Sequence, residues 1–178
     1  RGKTKVVRIT EKDDATSRKG VDKAKRAAKH RKALVWSSSP CTGGSNWNHI
    51  NKVKPGGMKK FLRHRRLWHK IWTKTEELCA AAEKSGAKIA IEWLSSCQYW
   101  NMAKVKSLLS RYHLKKAKCD GCAMGLIGRK GAPIYKPWTI ATNCDELYEA
   151  LNKQKCPGPK VHKHEHCAGS NTKMSEGY

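Results

Sequence analysis

The sequence predicts an α/β fold with a mostly parallel sheet and an antiparallel last strand. The opening segments alternate as strand, helix and strand, which is the pattern of a βαβ unit. A long stretch with apolar residues at helical spacing then separates the second strand from the third. The connection before the final strand is short and rich in glycine, too brief for a helical crossover. We therefore expect the last two strands to be antiparallel, paired directly or lying beside one another.

Nine segments carry the patterns of regular secondary structure. The predicted strands are residues 5–9, 33–36, 88–93, 114–119 and 134–142. The predicted helices are residues 21–32, 58–84, 102–113 and 144–152, and Gly86 is expected to end the long one. Residues 46–57 are predicted to be a loop. Two parts follow from these patterns, an α/β domain over residues 1–154 and an irregular Cys/His-rich tail over residues 155–178.

The charge of the chain is its strongest global signal. Among its 178 residues, Lys and Arg number 38 against 14 Asp and Glu, which gives a formal net charge of +24. Such a charge attracts polyanions and favours salt-sensitive binding to nucleic acid, DNA more than RNA, over a merely solvated basic surface. The sequence has no apolar run of the ~20 residues that a membrane span needs. Since no signal peptide opens the chain, we expect a nuclear or cytoplasmic, reducing location with thiols or zinc rather than disulfides.

A proline-cysteine motif follows the strand at residues 33–36. Its sequence, Pro40-Cys41-Thr42-Gly43-Gly44-Ser45, should lie in the crevice beyond the carboxyl end of the sheet, where glycines would let a substrate approach. Glu92 ends a second strand about fifty residues later, so a parallel pair would bring it to the same edge. A cysteine thiolate could attack one atom of a ring substrate while a neighbouring carboxyl group protonates another atom of the same ring. The alternatives are a buried, inert Cys41 and a Glu92 that pairs with a lysine.

This arrangement resembles the catalytic half of the DNA cytosine-5 methyltransferases. The resemblance implies a Rossmann-like methyltransferase sheet, partial here because the first strand and its glycine-rich cofactor loop are absent. It implies Cys41 as the nucleophile toward cytosine C6 and Glu92 as the residue that holds and protonates N3. It also implies S-adenosylmethionine as the cofactor, with Glu11, Asp13 and Pro40 on the cofactor side.

The chain departs from that family at several positions. Glu92-Trp93-Leu94 replaces the usual Glu-Asn-Val, and Arg129 and Lys136 are imperfect substitutes for a paired arginine motif. The motifs together also resemble a domain of retroelement polyproteins. We therefore expect a fragment that binds nucleic acid without full methyltransferase activity. The alternative is a non-enzymatic, zinc-stabilised nucleic-acid-binding module of a mobile-element polyprotein.

Cysteines and histidines near the C-terminus form a second group of candidates. Cys119 and Cys122 have the spacing of a zinc knuckle, and a tetrahedral site would order this loop-rich end. The candidate metal ligands are Cys119, Cys122, Cys156, His162, His164, His166 and Cys167. The alternatives are a cysteine pair that only packs at a strand end and a site formed by the tail alone.

A basic face on the long helix is the third candidate. The residues expected to contact nucleic acid there are Lys59, Lys60, Arg63, Arg65, Arg66 and Lys70, with Arg129 and Lys136 added from the later loop. Lysine and arginine neutralise phosphates, so this face predicts backbone contacts. Trp68 and Trp72 share the helix, and their spacing favours the core over stacking on bases.

Overall fold

The sheet has four strands and lies between two layers of helices. The computed structural model describes residues 4–10, 12–158, 160–161 and 163–167. Its strands are β1 (Leu34–Ser37), β2 (Lys88–Leu94), β3 (Lys115–Asp120) and β4 (Pro137–Thr142). Its helices are α1 (Arg18–Ala28), α2 (Asn48–Asn51), α3 (Gly57–Ser85), α4 (Ala103–Arg111) and α5 (Asp145–Asn152). Short 3₁₀ turns span Thr42–Gly44, Gln98–Asn101 and Gly121–Met124.

The strand order is β1-β2-β4-β3. β1 pairs parallel with β2, whereas β4 is antiparallel to both of its neighbours, β2 and β3. β1, β2 and β3 therefore run in one direction, and the last strand runs against them. The α/β class and the direct antiparallel pairing of β3 with β4 are confirmed. The prediction of a mostly parallel sheet is wrong for the strand pairs. β4 lies between β2 and β3, so two of the three pairs are antiparallel and one, β1 with β2, is parallel.

Alternation along β2 assigns the two faces of the sheet. Ile89, Ile91 and Trp93 belong to a large core cluster with residues of α3 and α4. Ala90 belongs to a smaller cluster on the other face, which includes Leu151 of α5. β2 is buried on both faces at Ile89, Ala90 and Ile91, where its sequence is a continuous apolar run, and the half-buried Glu92 interrupts that run.

The long helix follows the prediction to within one residue at each end. α3 spans Gly57–Ser85 and ends at Gly86, whose φ of 72° is the left-handed conformation that favours glycine. Its buried residues include Trp68 and Trp72, as the apolar spacing predicted. The rings of Trp68, Trp72 and Trp93 pack together, with Trp72 and Trp93 centroids 5.7 Å apart. These contacts attach α3 to the sheet.

Other sequence predictions are wrong in part. Residues 5–9 form no strand, and Val6 there is 70% exposed, so the described residues before α1 contain no opening strand. The predicted loop at residues 46–57 contains α2. The last strand begins at Pro137 rather than at residue 134, since proline lacks the N–H that a strand interior requires. In the described part of the chain, no helix is long and apolar enough to cross a bilayer.

We predict that the tryptophan packing between α3 and β2 dominates the stability of the fold. Trp72 is 1% exposed, so Trp72→Ala should lower the free energy of unfolding by about 3–5 kcal/mol through reduced burial and a residual cavity. Trp47 is 69% exposed, and Trp47→Ala should change it by less than about 0.5 kcal/mol. Urea unfolding measures both, and equal losses for the two variants would contradict this account.

Candidate functional sites

Two consecutive residues of β2 hold the segment that leads into the proline-cysteine motif. β1 and β2 are in register with Ser37 opposite Ile91, so their carboxyl ends lie at one edge of the sheet. The Ser38 hydroxyl donates to Glu92 Oε2 at 2.6 Å. The indole Nε1 of Trp93 donates to the Ser39 carbonyl oxygen at 2.9 Å. The loop that carries Cys41 therefore starts from a fixed position beside Glu92.

The glycines of the motif allow close packing inside the protein. Gly43 and Gly44 are buried in the 3₁₀ turn. A Cβ on Gly44 would lie 2.7 Å from the Cys97 sulfur, and one on Gly43 would collide with the Tyr99 hydroxyl. The expected role of these glycines, close approach of a substrate, is thus replaced by close approach of the loop to the Gln98–Asn101 turn.

Cys41 is half-buried against the large core cluster, and two charged residues act on it. Burial raises the pKa of its thiol above the usual value, the Lys136 ammonium lowers this pKa and the Glu92 carboxylate raises it. The register of β1 and β2 and the effect of Glu92 on this pKa put Cys41 and Glu92 near the same edge of the sheet, and Lys136 is an additional neighbour that the parallel-strand argument did not include. A nucleophilic cysteine acts as thiolate, and a raised pKa favours the thiol. The raised pKa therefore makes Cys41 less reactive than an ordinary exposed cysteine.

Of the residues expected on the cofactor side, Asp13 and Pro40 lie in the described part of the chain. Asp13 lies in a turn, where its carboxylate accepts from the Lys23 ammonium at 2.8 Å and from the Thr10 N–H at 3.1 Å. No strand precedes this turn in the described residues, so Asp13 is not at a sheet edge. Glu11 lies outside the described residues. Pro40 is exposed, between the anchored Ser39 and Cys41.

Three of the predicted metal ligands converge near the end of β3. The ligand atoms of Cys122, Cys156 and His164 all lie within 4.8 Å of one another, and this cluster could hold a metal ion. Cys156 Sγ lies 3.4 Å from His164 Nε2 and accepts a hydrogen bond from the Gly158 N–H at 3.3 Å. Burial raises the pKa of the Cys122 thiol to about 11, and its neighbour Cys156 adds to the shift. Without a metal the Cys122 sulfur is therefore protonated at neutral pH.

The three ligands come from segments that other contacts bring together. Cys122 lies in the 3₁₀ turn after β3, and the Cys156 N–H donates to the Asp120 carboxylate at 2.8 Å. The Glu165 N–H donates to the Pro133 carbonyl at 2.8 Å, which places the His164 segment against the same loop. The site is thus a junction between β3, the glycine-containing loop and the tail.

The remaining predicted ligands lie elsewhere. Cys119 is 1% exposed and lies in the core cluster between the sheet and α5. The predicted pair of Cys119 and Cys122 is therefore divided, with Cys119 in the core and Cys122 in the candidate metal cluster. Cys167 packs against that same cluster. His166 is exposed and is not part of the group of three, while His162 lies outside the described residues.

The basic face of α3 is exposed and forms no ion pair with a described carboxylate, although the charge of Lys70 reaches the Asp14 carboxylate. Lys59, Arg63, Arg66 and Lys70 recur along one side of the helix and are all exposed. Lys60 is also exposed, and Arg65 is half-buried. None of these six residues forms an ion pair with any carboxylate that the structure describes.

The other two residues expected to bind nucleic acid, Arg129 and Lys136, come from the segment between β3 and β4 and not from α3. Lys136 lies over the Trp138 ring at 5.2 Å and acts on Cys41, so it belongs with the Cys41 site. Arg129 is exposed in the loop between β3 and β4.

The sequence interpretation did not identify Ser38 and Trp93 as residues that position the loop of Cys41. The sequence signals for this role were a hydroxyl directly after β1 and an indole near the end of β2, because both can form hydrogen bonds at that edge of the sheet.

Comparison of the chain with protein-family models, with curated proteins and with solved structures finds no match. The geometry described above is therefore the basis for the functional conclusions.

We predict that the reactivity of Cys41 responds to both of its charged neighbours. Because its pKa is raised, Cys41 should alkylate slowly with iodoacetamide at neutral pH and faster as pH rises toward that pKa. Glu92→Gln removes a carboxylate that raises the pKa, so it should speed the reaction at pH 7, whereas Lys136→Gln should slow it. Mass spectrometry of the Cys41 peptide measures each rate. Identical rates in the three proteins would show that neither charge reaches the thiol.

Proposed function

We propose that this chain is a nucleic-acid-binding α/β domain that contacts phosphates through the exposed basic face of α3. The observation that carries the proposal is the exposed row of Lys59, Arg63 and Arg66 on one side of the helix, none of them in an ion pair with a described carboxylate. Lys70 continues the row and acts on the Asp14 carboxylate. A net charge of +24 supports a long-range attraction to the same polyanion. Phosphate contacts of this kind position a protein on nucleic acid and do not read its sequence.

Within that function we propose a sheet related to part of a methyltransferase fold, used for binding rather than for catalysis. The parallel pair β1-β2, the reversed last strand, and Cys41 near Glu92 support the relationship. Two observations favour binding over catalysis. The Cys41 thiol has a raised pKa, and Asp13 is engaged by Lys23 in a turn instead of lying at a strand end. S-adenosylmethionine stays a prediction from the resemblance, and no step is assigned to it.

We also propose that zinc occupies the cluster of Cys122, Cys156 and His164 and stabilises the C-terminal segment. Zinc bonds of about 2.3 Å to sulfur and about 2.0 Å to nitrogen at tetrahedral angles separate the two ligand atoms by roughly 3.5 Å. The separation of Cys156 Sγ and His164 Nε2 is 3.4 Å. The Gly158 N–H that donates to Cys156 is the type of outer contact that supports a metal-bound thiolate. A fourth position is left for water or for another residue of the tail.

We predict that neutralising the α3 face weakens binding to unrelated sequences alike. The triple variant Lys59→Ala, Arg63→Ala, Arg66→Ala should lower the slope of log affinity against log salt by about 0.9 for each duplex phosphate that the variant no longer neutralises. The matched control, Lys19→Ala, Lys29→Ala, Lys32→Ala, removes the same charge from exposed positions in and near α1. Fluorescence anisotropy at several salt concentrations measures both. An equal effect of the two triple variants would refute a specific role for α3, and absence of binding to the unaltered protein at low salt would refute the function.

We predict that protein purified without chelator contains about one equivalent of zinc, since the cluster supplies one set of ligands. Cys156→Ser should abolish most of the bound zinc and lower the melting temperature, and a chelator should lower the melting temperature of the unaltered protein. Cys144→Ser is the control, because Cys144 lies just before α5, outside the cluster. Metal analysis and thermal unfolding provide the two measurements. A zinc content that is the same in both variants would exclude the assignment.

A further inference from the structure

A polar cavity lies between the proline-cysteine loop and the basic helix. Its volume is about 230 Å³, and α2, α3 and the Gln98–Asn101 turn form its walls. The residues that line it are Gly43, Ser45, Asn48, His49, Lys52, Phe61, Arg65 and Gln98. This lining contains cationic, amide and hydroxyl groups and no carboxylate from the described residues. The volume falls below the roughly 300–1,000 Å³ of pockets that enclose whole organic ligands, so a small anionic group suits it better than a nucleoside.

Aromatic rings hold the two cations of the cavity in place. Lys52 Nζ lies 4.1 Å from the centroid of the Phe61 ring, and the Arg65 guanidinium lies 5.6 Å from the same ring. Arg65 also lies 5.5 Å from the ring of Tyr99. Neither cation pairs with a carboxylate in the part of the chain that the structure describes. The rings thus restrict the two side chains while their charges stay unneutralised, which reduces the cost of ordering them on an anion.

The neutral groups of the cavity can donate further hydrogen bonds. Asn48 Nδ2 donates one hydrogen to the Thr42 carbonyl at 2.9 Å, and Gln98 Nε2 donates one to Asn46 Oδ1 at 2.7 Å. Each amide nitrogen carries two hydrogens, so one is left on each. Ser45 Oγ accepts from the Trp47 N–H at 3.3 Å, and its own hydrogen is left to donate. Two cations with several such donors match the oxygens of a phosphate group.

We propose that this cavity binds one phosphate group, supplied by the backbone of a bound nucleic-acid strand. The choice of the backbone as source rests on the proposed function. Arg65 lines the cavity from α3 and lies about 100° around the helix from Arg66, so the cavity is on a different side of α3 from the exposed row. The cavity is therefore a phosphate contact separate from that row. The same chemistry would also accept free phosphate or a terminal 5′-phosphate.

The first experiment compares two lysines that lie two residues apart. Lys52 lines the cavity, whereas Lys54 is exposed and does not line it. Lys52→Gln should weaken binding of a single-stranded oligonucleotide about tenfold and lower the salt slope by about 0.7, as removal of one cation from a phosphate requires. Lys54→Gln should leave affinity and slope nearly unchanged. Equal effects of the two substitutions would overturn the proposal.

Two additions separate the possible sources of the phosphate and guard against unfolding. Gln98→Ala changes an exposed residue at the cavity and should weaken binding in the same direction, with thermal unfolding as the check on both variants. Oligonucleotides with 5′-hydroxyl and 5′-phosphate ends should bind equally if the backbone is the source, and a strict need for the 5′-phosphate would overturn that source. If the unaltered protein binds no oligonucleotide but binds inorganic phosphate through Lys52, the proposed function fails and the phosphate site stands. Failure to bind either ligand overturns the site.

Discussion

The indole of Trp93 links the core of this protein to the loop that carries Cys41. Its ring packs against Trp72 at 5.7 Å and against Trp100 at 4.8 Å, so its position depends on α3 and on the turn after β2. Its Nε1 donates to the Ser39 carbonyl, two residues before Cys41. A buried indole N–H that lacks a partner costs free energy, and the loop supplies a partner for that of Trp93. The start of the proline-cysteine loop is therefore held by two hydrogen bonds, Trp93 to Ser39 and Ser38 to Glu92. The first of them depends on the packing of the Trp93 ring against Trp72 and Trp100.

The distribution of charge separates two kinds of basic residue. Lys23, Lys25, Lys74 and Lys115 pair with carboxylates, and these contacts fasten α1, α3 and the start of β3 to nearby segments. The residues of the α3 face lack such partners among those described, and so do the cations of the cavity beside it. Like charges at this density repel one another in the free protein. A polyanion that covers them relieves that repulsion, so the surface is better suited to the bound state than to the free one.

Local patterns in the sequence predicted the elements well and long-range partners poorly. The apolar spacing of α3, with Gly86 after it, predicted nearly the observed helix because both signals are local. Residues 5–9 have strand composition but no strand partner among the described residues, and pairing rather than composition makes a strand. For the metal ligands, the Cys119-Cys122 spacing suggested a pair, yet alternation along β3 directs Cys119 into the core. The cavity was missed because its cations, Lys52 and Arg65, come from segments that only the packing of α2 on α3 brings together.

The insertion of the last strand between β2 and β3 also determines when the sheet can close. Glu92 pairs with Ile140, and Lys115 pairs with Thr142, so the two earlier strands have no direct contact as neighbours. A chain emerging from the ribosome presents β2 and β3 before the strand that joins them exists. Until β4 is synthesised, both display unpaired backbone groups that can recruit other chains. Because pairs distant in sequence also form slowly, the nascent protein is most exposed to aggregation in this interval and most in need of a chaperone.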